Sequence, residues 1–166
     1  MPRARRTFYT ARRQTVKWSP HLLIQPMTME ATQGEFASYQ LIAKNSSDTS
    51  IPVPSVIKVK NFKVSIDTSA PSDFSQGMKY LNAYLMYVPE GITLNTDTAK
   101  NHPEWIIAWR GINDTNQSDR DNYVLSSRLA RNLNSGDAIY LLFAGYTNTT
   151  HSFSFVATTT YVSRAN

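Results

Sequence analysis

The chain has 166 residues, of which 17% are charged and none is cysteine. This length is typical of one domain, and the lack of cysteine excludes disulfide bonds and thiolate metal sites. The formal net charge of +5 is unevenly placed: residues 1–17 hold six of the 17 basic side chains and no acid, whereas the remainder holds 11 basic and 12 acidic groups. A basic arm on a near-neutral body indicates a polyanionic partner.

The arm, residues 1–17, contains two groups of arginines separated by aromatic side chains. Guanidinium groups grip phosphates in a planar fork, and aromatic rings stack on unpaired bases. The pattern therefore predicts sequence-independent contact with single-stranded nucleic acid. The arm could at the same time serve as a nuclear-import signal. The remaining interpretation is a tail that only increases solubility. The predicted binding residues are Arg3, Arg5, Arg6, Phe8, Tyr9, Arg12, Arg13, Lys17 and the adjoining Trp18.

Beyond the arm, short apolar and alternating segments separated by turn residues predict eight strands. The first contains Pro20, which is typical of an edge strand or a bend. The third changes its alternation between Lys60 and Phe62, which predicts a β-bulge near Asn61. The predicted strands are residues 15–24, 36–43, 56–66, 79–88, 104–112, 123–133, 138–146 and 152–163.

Two strand segments allow more than one interpretation. Residues 126–133 place Leu129 and Leu133 four apart, as a helix would, but the strand interpretation is preferred because the neighbouring elements are strands. Trp105 and Trp109 are expected to share one face of the fifth strand and to act as core or interface anchors.

The third strand also carries lysines. Lys58 and Lys60 are predicted to extend the nucleic-acid-binding surface from the arm onto the body, together with Lys63. The alternative is an ordinary solvated strand face.

Catalytic and metal-binding patterns are not found. His21, His102 and His151 are scattered without metal-ligand spacing. Asp119 and Asp121 could ligate a hard cation, but solvated loop charge is preferred. Without a glycine-rich phosphate loop or a nucleophile motif, we expect no catalytic residue, no metal and no cofactor, and hence no enzyme. No apolar run reaches the ~18 residues of a membrane span, so no membrane insertion is expected.

Eight strands without a long helix predict an all-β protein, and eight is the strand number of the antiparallel jelly roll. Several segments also resemble capsid proteins of small circular, Rep-encoding single-stranded DNA viruses (CRESS-DNA viruses), the circovirus-like group. They are VIKVKNFKVSID (56–67), YLMYVPEG (84–91), HPEWIIAWRGI (102–112), SSRLARNLNSGDAIYLLFAG (126–145) and TTTYVSR (158–164). The arm is shorter and less basic than typical circovirus arms, which indicates a divergent relative.

The resemblance implies an eight-stranded antiparallel jelly-roll sandwich with a basic N-terminal arm. Residues 1–17 would be the nucleic-acid-binding arm and residues 18–166 the shell domain. It further implies a homo-oligomeric icosahedral shell of about 60 copies, a packaged single-stranded DNA genome, host import factors and a receptor. The protein would then be found in the virion and, during assembly, in the host nucleus. The alternatives are a non-viral jelly roll that binds carbohydrate and a cellular β-sandwich that binds single-stranded nucleic acid.

Overall fold

The computed structural model describes residues 17–46, 56–68, 77–112 and 121–165. Within these ranges no helix is long and apolar enough to span a membrane. The helical elements are α1 (Thr98–Asn101) and a 3-10 helix (Pro103–Trp105). The strands are β1 (Ser19–Ala31), β2 (Gly34–Lys44), β3 (Val56–Thr68), β4 (Met78–Val88), β5 (Ile106–Gly111), β6 (Asp121–Ser127), β7 (Arg131–Asn134), β8 (Ala138–Thr147) and β9 (His151–Ala165).

The strands form two antiparallel sheets. The first sheet has the order β1-β9-β3-β6, with β7 also paired to β3, and the second sheet has the order β2-β8-β4-β5. β6 pairs with residues 62–68 of β3, and β7 pairs with residues 56–59. These two strands are therefore halves of one interrupted strand, which reconciles nine observed strands with the eight predicted.

The pairing pattern identifies the topology. With β6 and β7 counted together, the first strand pairs with the eighth, the second with the seventh, the third with the sixth and the fourth with the fifth. This is the pattern of a long antiparallel hairpin rolled into a two-sheet sandwich, the jelly roll. The predicted fold class is confirmed.

Aromatic packing between the two sheets forms the main core. Phe143 of the second sheet stacks on Phe155 of the first, with ring centroids 5.2 Å apart and planes 7° apart. Both side chains are at most 1% exposed. A smaller cluster lies outside the second sheet, where Leu94 and Ala99 pack on buried side chains of β4 and β8. The segment between β4 and β5 thus covers part of that sheet's outer face.

The first strand is longer than predicted and continues through Pro26 to Ala31. β1 lies at the edge of the first sheet, as Pro20 indicated, and pairs only with β9 in the described sheet. An edge strand needs hydrogen bonds on one side only, so it accommodates a residue without an N–H group. Pro26 therefore does not end the strand.

Two expectations need correction. The predicted sixth strand is interrupted between Ser127 and Arg131, and no helix forms there. The fifth strand begins at Ile106, because Pro103 starts a 3-10 turn instead, as the fixed φ of proline favours at a helix start. Trp105 and Trp109 therefore do not share a strand face: Trp105 packs against the smaller cluster, whereas Trp109 is 65% exposed.

Candidate nucleic-acid interface

The structure brings together the predicted binding residues that it describes. Seven others, Arg3, Arg5, Arg6, Phe8, Tyr9, Arg12 and Arg13, lie outside the described residues. Lys17 and Trp18 directly precede β1. The start of β1 lies beside the end of β9, and β9 in turn pairs with the start of β3, which carries Lys58 and Lys60. The root of the arm and the lysines of the third strand thus lie at one end of the first sheet.

The predicted β-bulge is present and orients the lysines. Asn61 adopts a positive φ of 56°, and the pairing of β3 with β9 shifts register between Lys60 and Lys63. Because successive strand residues point to opposite faces, one extra residue restores the alternation. Val59 and Phe62 are both buried. Lys58, Lys60 and Lys63 therefore share the outer face of the first sheet.

Trp18 contacts two cations at this end of the sheet. The Nζ of Lys60 lies 4.0 Å from the ring centroid, and the guanidinium carbon of Arg164 lies 5.0 Å from it. At exposed sites such contacts are each worth about 0.5–1 kcal/mol. These contacts hold the segment that precedes β1 against the basic surface.

Arg164 was not among the predicted binding residues. The sequence did contain a signal: the inward positions Phe155, Ala157 and Tyr161 put Arg164 on the outward face of the last strand. The inward–outward alternation along one strand does not identify which residue of the neighbouring strand lies beside Arg164. Arg164 lies directly opposite Lys58, so two cations that are 106 residues apart in the chain become adjacent.

The juxtaposition of Lys58 and Arg164 is electrostatically unfavourable. Directly opposed side chains have Cβ atoms roughly 4.5–5.5 Å apart, and like charges at such positions destabilise a sheet. The ion pairs within the described ranges are Lys100–Glu35, Lys100–Asp97 and His102–Glu104, none of which involves this surface. The Nε of Arg164 is also buried without a hydrogen-bond partner there. The described structure therefore leaves the charge of this surface uncompensated.

Acidic side chains on the same face lie at the opposite end. Asp67 is near the end of β3, and Glu30 is near the end of β1, where it pairs with Ser152. At ~3.3 Å per residue, Asp67 lies roughly 13 Å from Lys63 along the strand. The outer face of the first sheet is therefore electrostatically polarised along its strands, and Lys17 and Trp18 lie at the basic end.

Exposed apolar side chains, here called the apolar strip, lie on the same face as the lysines, on the neighbouring strands β9 and β1. Leu22 and Ile24 on β1 are 62% and 64% exposed, and Val156 on β9 is 38% exposed. Thr158 and Thr160 of β9 lie opposite Ile24 and Leu22, respectively. The face thus combines a line of cations with neighbouring apolar and hydroxyl side chains.

The ion pairs of the described residues lie on the second sheet's side. The Nζ of Lys100 lies 3.3 Å from Asp97 and 3.4 Å from Glu35. The hydrogen bond to Asp97 and the interactions with Glu35 raise the pKa of Lys100. Nearby, a hydrogen bond from its own backbone N–H lowers the pKa of Glu104, and His102 adds to this effect. The lysines of β3 have no such partner within the described ranges, and neither do Lys44 of β2 and Lys79 of β4.

Two of the three histidines, His21 and His102, stack on aromatic rings. His21 stacks on Tyr161, with centroids 4.5 Å apart, and its Nε2 lies 2.7 Å from the Ser163 hydroxyl oxygen. His102 stacks on Trp105 at 3.7 Å. Among the described residues no group of three potential ligands lies close enough to hold a metal ion. Asp119 lies outside the described residues, so the predicted alternative of a cation in that loop stays a prediction.

Comparisons with known proteins give distant similarities. No family model matches the chain, and no curated protein sequence matches it. Among solved structures, Desmodium yellow mottle tymovirus is 13% identical, with a TM-score of 0.41 and coverage of 89% of each chain. The structure of Maize chlorotic mottle virus is 9% identical, with a TM-score of 0.46 and coverage of 87% of this chain and 92% of that one.

The 60-mer of the BFDV capsid protein is a third similar structure. It is 10% identical, with a TM-score of 0.39 and coverage of 92% of this chain and 95% of that one. These identities and TM-scores are too low to transfer a function or an assembly to this chain. The jelly-roll assignment therefore stands on the strand pairing described above.

Proposed function

We propose that the chain is the structural capsid protein of a small virus, and that it self-assembles into an icosahedral shell around a single-stranded DNA genome. The role is structural and not enzymatic. The arginine-rich arm contacts the packaged strand through phosphates and stacked bases. The observation that supports this most directly is that Trp18, next to the arm, lies against Lys60 and Arg164, which have no ion-pair partner among the described residues.

The charge distribution favours a shell over a single binding module. Six arm cations at about −0.7 per phosphate contact give a salt slope of roughly −4, a modest value for one copy. Many copies lining a closed shell raise the effective concentration of arms around the genome. The sandwich also exposes edge strands, β1 and β2 on one side and β5 and β6 on the other. Unpaired sheet edges favour coverage by neighbours, which a shell provides.

More specifically, we assign the chain to a divergent virus of the circovirus-like group of CRESS-DNA viruses. It is supported by the segments at 56–67, 84–91, 102–112, 126–145 and 158–164 and by the short basic arm. In this assignment the arm also serves as a nuclear-import signal that host import factors bind, and a host receptor binds the finished particle. The protein then occurs in the virion and in the host nucleus.

The test is to express the full chain and image the product by electron microscopy. We expect closed spherical particles that contain nuclease-protected nucleic acid. The matched control is an arm-neutral variant of the full-length chain, in which five arginines become glutamine: Arg3, Arg5, Arg6, Arg12 and Arg13. This variant should retain the β-rich circular dichroism spectrum and lose most of the protected nucleic acid. A discrete monomer or trimer at every salt concentration would contradict the shell.

A specific observation favours a second candidate, a carbohydrate-binding module. A small cavity of about 110 Å³ lies between α1 and the outer face of the second sheet. Its lining includes Tyr80, Asn82, Tyr84, Glu35 and Lys100, which combine aromatic faces with polar groups as ligand sites do. Glycan-array binding that is lost in Tyr84→Ala, by a protein that forms no particles, would favour this candidate over the shell.

A further inference from the structure

We propose that the folded domain itself binds single-stranded nucleic acid, along a basic track formed by Lys58, Lys60 and Lys63 of β3 and by Arg164 of β9. The inference rests on the proposed function, because it extends nucleic-acid binding from the arm to the body. The body nets −1 over 11 basic and 12 acidic groups, so its total charge gives no reason to expect such a site. The reason lies in the fold, which places basic side chains at one end of the outer face of the first sheet and acidic side chains at the other.

The track has a regular spacing. At ~3.3 Å per residue, side chains two positions apart on one strand face recur about every 6.6 Å. The bulge at Asn61 extends the series, because it returns Lys63 to the face that Lys58 and Lys60 occupy. This repeat is comparable with the distance between successive phosphates of an extended single strand. Consecutive lysines can therefore meet consecutive phosphates.

Electrostatics also favours an anion at this place. Lys58 faces Arg164 directly across the strand pair, and Lys60 is two residues further along. A phosphate bound between them would replace this repulsion by attraction. The contact would be charge-assisted, the stronger class of hydrogen bond. The track is thus less stable without an anion than with one.

The apolar strip gives the bases a place to lie. Leu22 and Ile24 are two strands away from the lysines, with β9 between, a separation of about 9.6 Å at ~4.8 Å per strand. A nucleotide whose phosphate contacts β3 can therefore extend its base across the β9 threonines towards Leu22. Apolar contact with base faces is sequence-tolerant, as expected for a binder that does not read sequence.

Single-stranded nucleic acid fits this surface better than a flat anionic membrane. The lysines follow one line along β3, and Trp18 lies against Lys60 of that line, which suits a linear polyanion. The acidic side chains of Asp67 and Glu30 lie at the other end of this face. A flat lipid surface would meet both the basic and the acidic ends at once, whereas a single strand can follow the basic end alone.

The experiment measures binding of a fluorescent thymidine oligonucleotide to the full-length arm-neutral variant over a range of salt concentrations. We expect measurable binding at low salt. Adding Lys58→Gln and Lys63→Gln should make the salt slope less steep by about 1.4, at about 0.7 per lost phosphate contact. When the salt concentration rises fourfold, the loss of binding affinity in this variant should therefore be about seven times smaller than the loss in the arm-neutral variant without the lysine changes. The matched control is Lys44→Gln, which removes an equal charge per residue from the second sheet and should leave the slope unchanged.

A second readout separates binding from damage to the fold. Because Lys58 opposes Arg164, Lys58→Gln should raise the urea midpoint of the unbound protein at low salt while it weakens oligonucleotide binding. Lys44→Gln should change neither. A variant that is more stable and yet binds less cannot owe its lost binding to misfolding. If Lys58→Gln instead lowers the midpoint and leaves binding unchanged, the track is wrong.

Two further outcomes would overturn the inference. One is an arm-neutral variant that binds no oligonucleotide at low salt while the wild-type chain still forms filled particles, in which case the proposed shell stands and the track fails. The other is binding to phosphatidylserine vesicles without binding to the oligonucleotide, which would make the face a membrane surface. Conversely, oligonucleotide binding that depends on Lys58 in a protein that forms no particles would support the track and contradict the shell.

Discussion

The stacking of Phe143 on Phe155 tests the sandwich most directly, because each ring belongs to a different sheet. Truncating a buried Phe to Ala typically costs about 3–5 kcal/mol, from lost transfer energy and from the cavity that remains. Both rings are essentially inaccessible, so we expect the upper half of that range for Phe143→Ala and for Phe155→Ala. This is a large share of the roughly 5–15 kcal/mol that stabilises a typical domain.

The pairwise interaction is measured with a double-mutant cycle. Since the first truncation already removes the ring–ring contact, the double variant should be more stable than the sum of the single effects predicts, by about 0.5–1.5 kcal/mol. Urea unfolding of the unassembled protein, followed by tryptophan fluorescence, gives the four free energies of unfolding. Additivity is expected to fail here because the two side chains are in contact.

The matched control pairs Phe143→Ala with Leu94→Ala. Leu94 packs in the smaller cluster on the other side of the second sheet, so these two effects should add within about 0.3–0.5 kcal/mol. If the Phe143–Phe155 cycle gives no more coupling than this control, the two sheets do not pack through these rings and the reasoning fails.

Three further predictions concern the backbone and pH. Gly145→Ala should destabilise the domain by about 1–3 kcal/mol in urea unfolding, because its Cβ would lie 2.6 Å from the Tyr80 carbonyl oxygen; an unchanged midpoint would contradict this close approach. Asn61→Val should cost about 1–2 kcal/mol at the positive φ of the bulge, whereas Asn61→Gly should be tolerated, and equal midpoints for the two variants would refute the bulge. Burial and the hydrogen bond to Asp137 raise the pKa of Tyr87 to about 12 from 10.0, so stability should fall as pH rises from 10 to 12. Tyr87→Phe should show a smaller fall in the urea midpoint across that window, and an identical fall would show that Tyr87 does not contribute.

Most of the fold could be predicted from the sequence, because strand alternation is a local property. The bulge at Asn61 was visible as a change of parity within one strand. The interruption between Ser127 and Arg131 was not, because the alternation gives no sign that two halves pair separately with β3. The 3-10 turn that removes Trp105 from β5 depends on Pro103 and on packing against the second sheet, and only the proline is visible in the sequence.

The candidate site could be predicted only in part for a related reason. Charge counting identified the arm and drew attention to Lys58 and Lys60. It could not show that Arg164 lies opposite Lys58 or that Trp18 lies against both β3 and β9, since these contacts join distant parts of the chain. The near-neutral total charge of the body also conceals its basic end, because a sum over residues discards their arrangement in space.

The pairing of the first strand with the last also constrains when this surface can form. Ser19 pairs with Ser163, so the first sheet cannot close during synthesis until residue 163 has left the ribosome. Such long-range pairing is also typical of slow folding. The cluster of Trp18, Lys60 and Arg164 draws on the start, middle and end of the chain, so a nascent or truncated chain does not contain it. The complete basic surface therefore forms only in a chain that has been synthesised at least as far as Arg164.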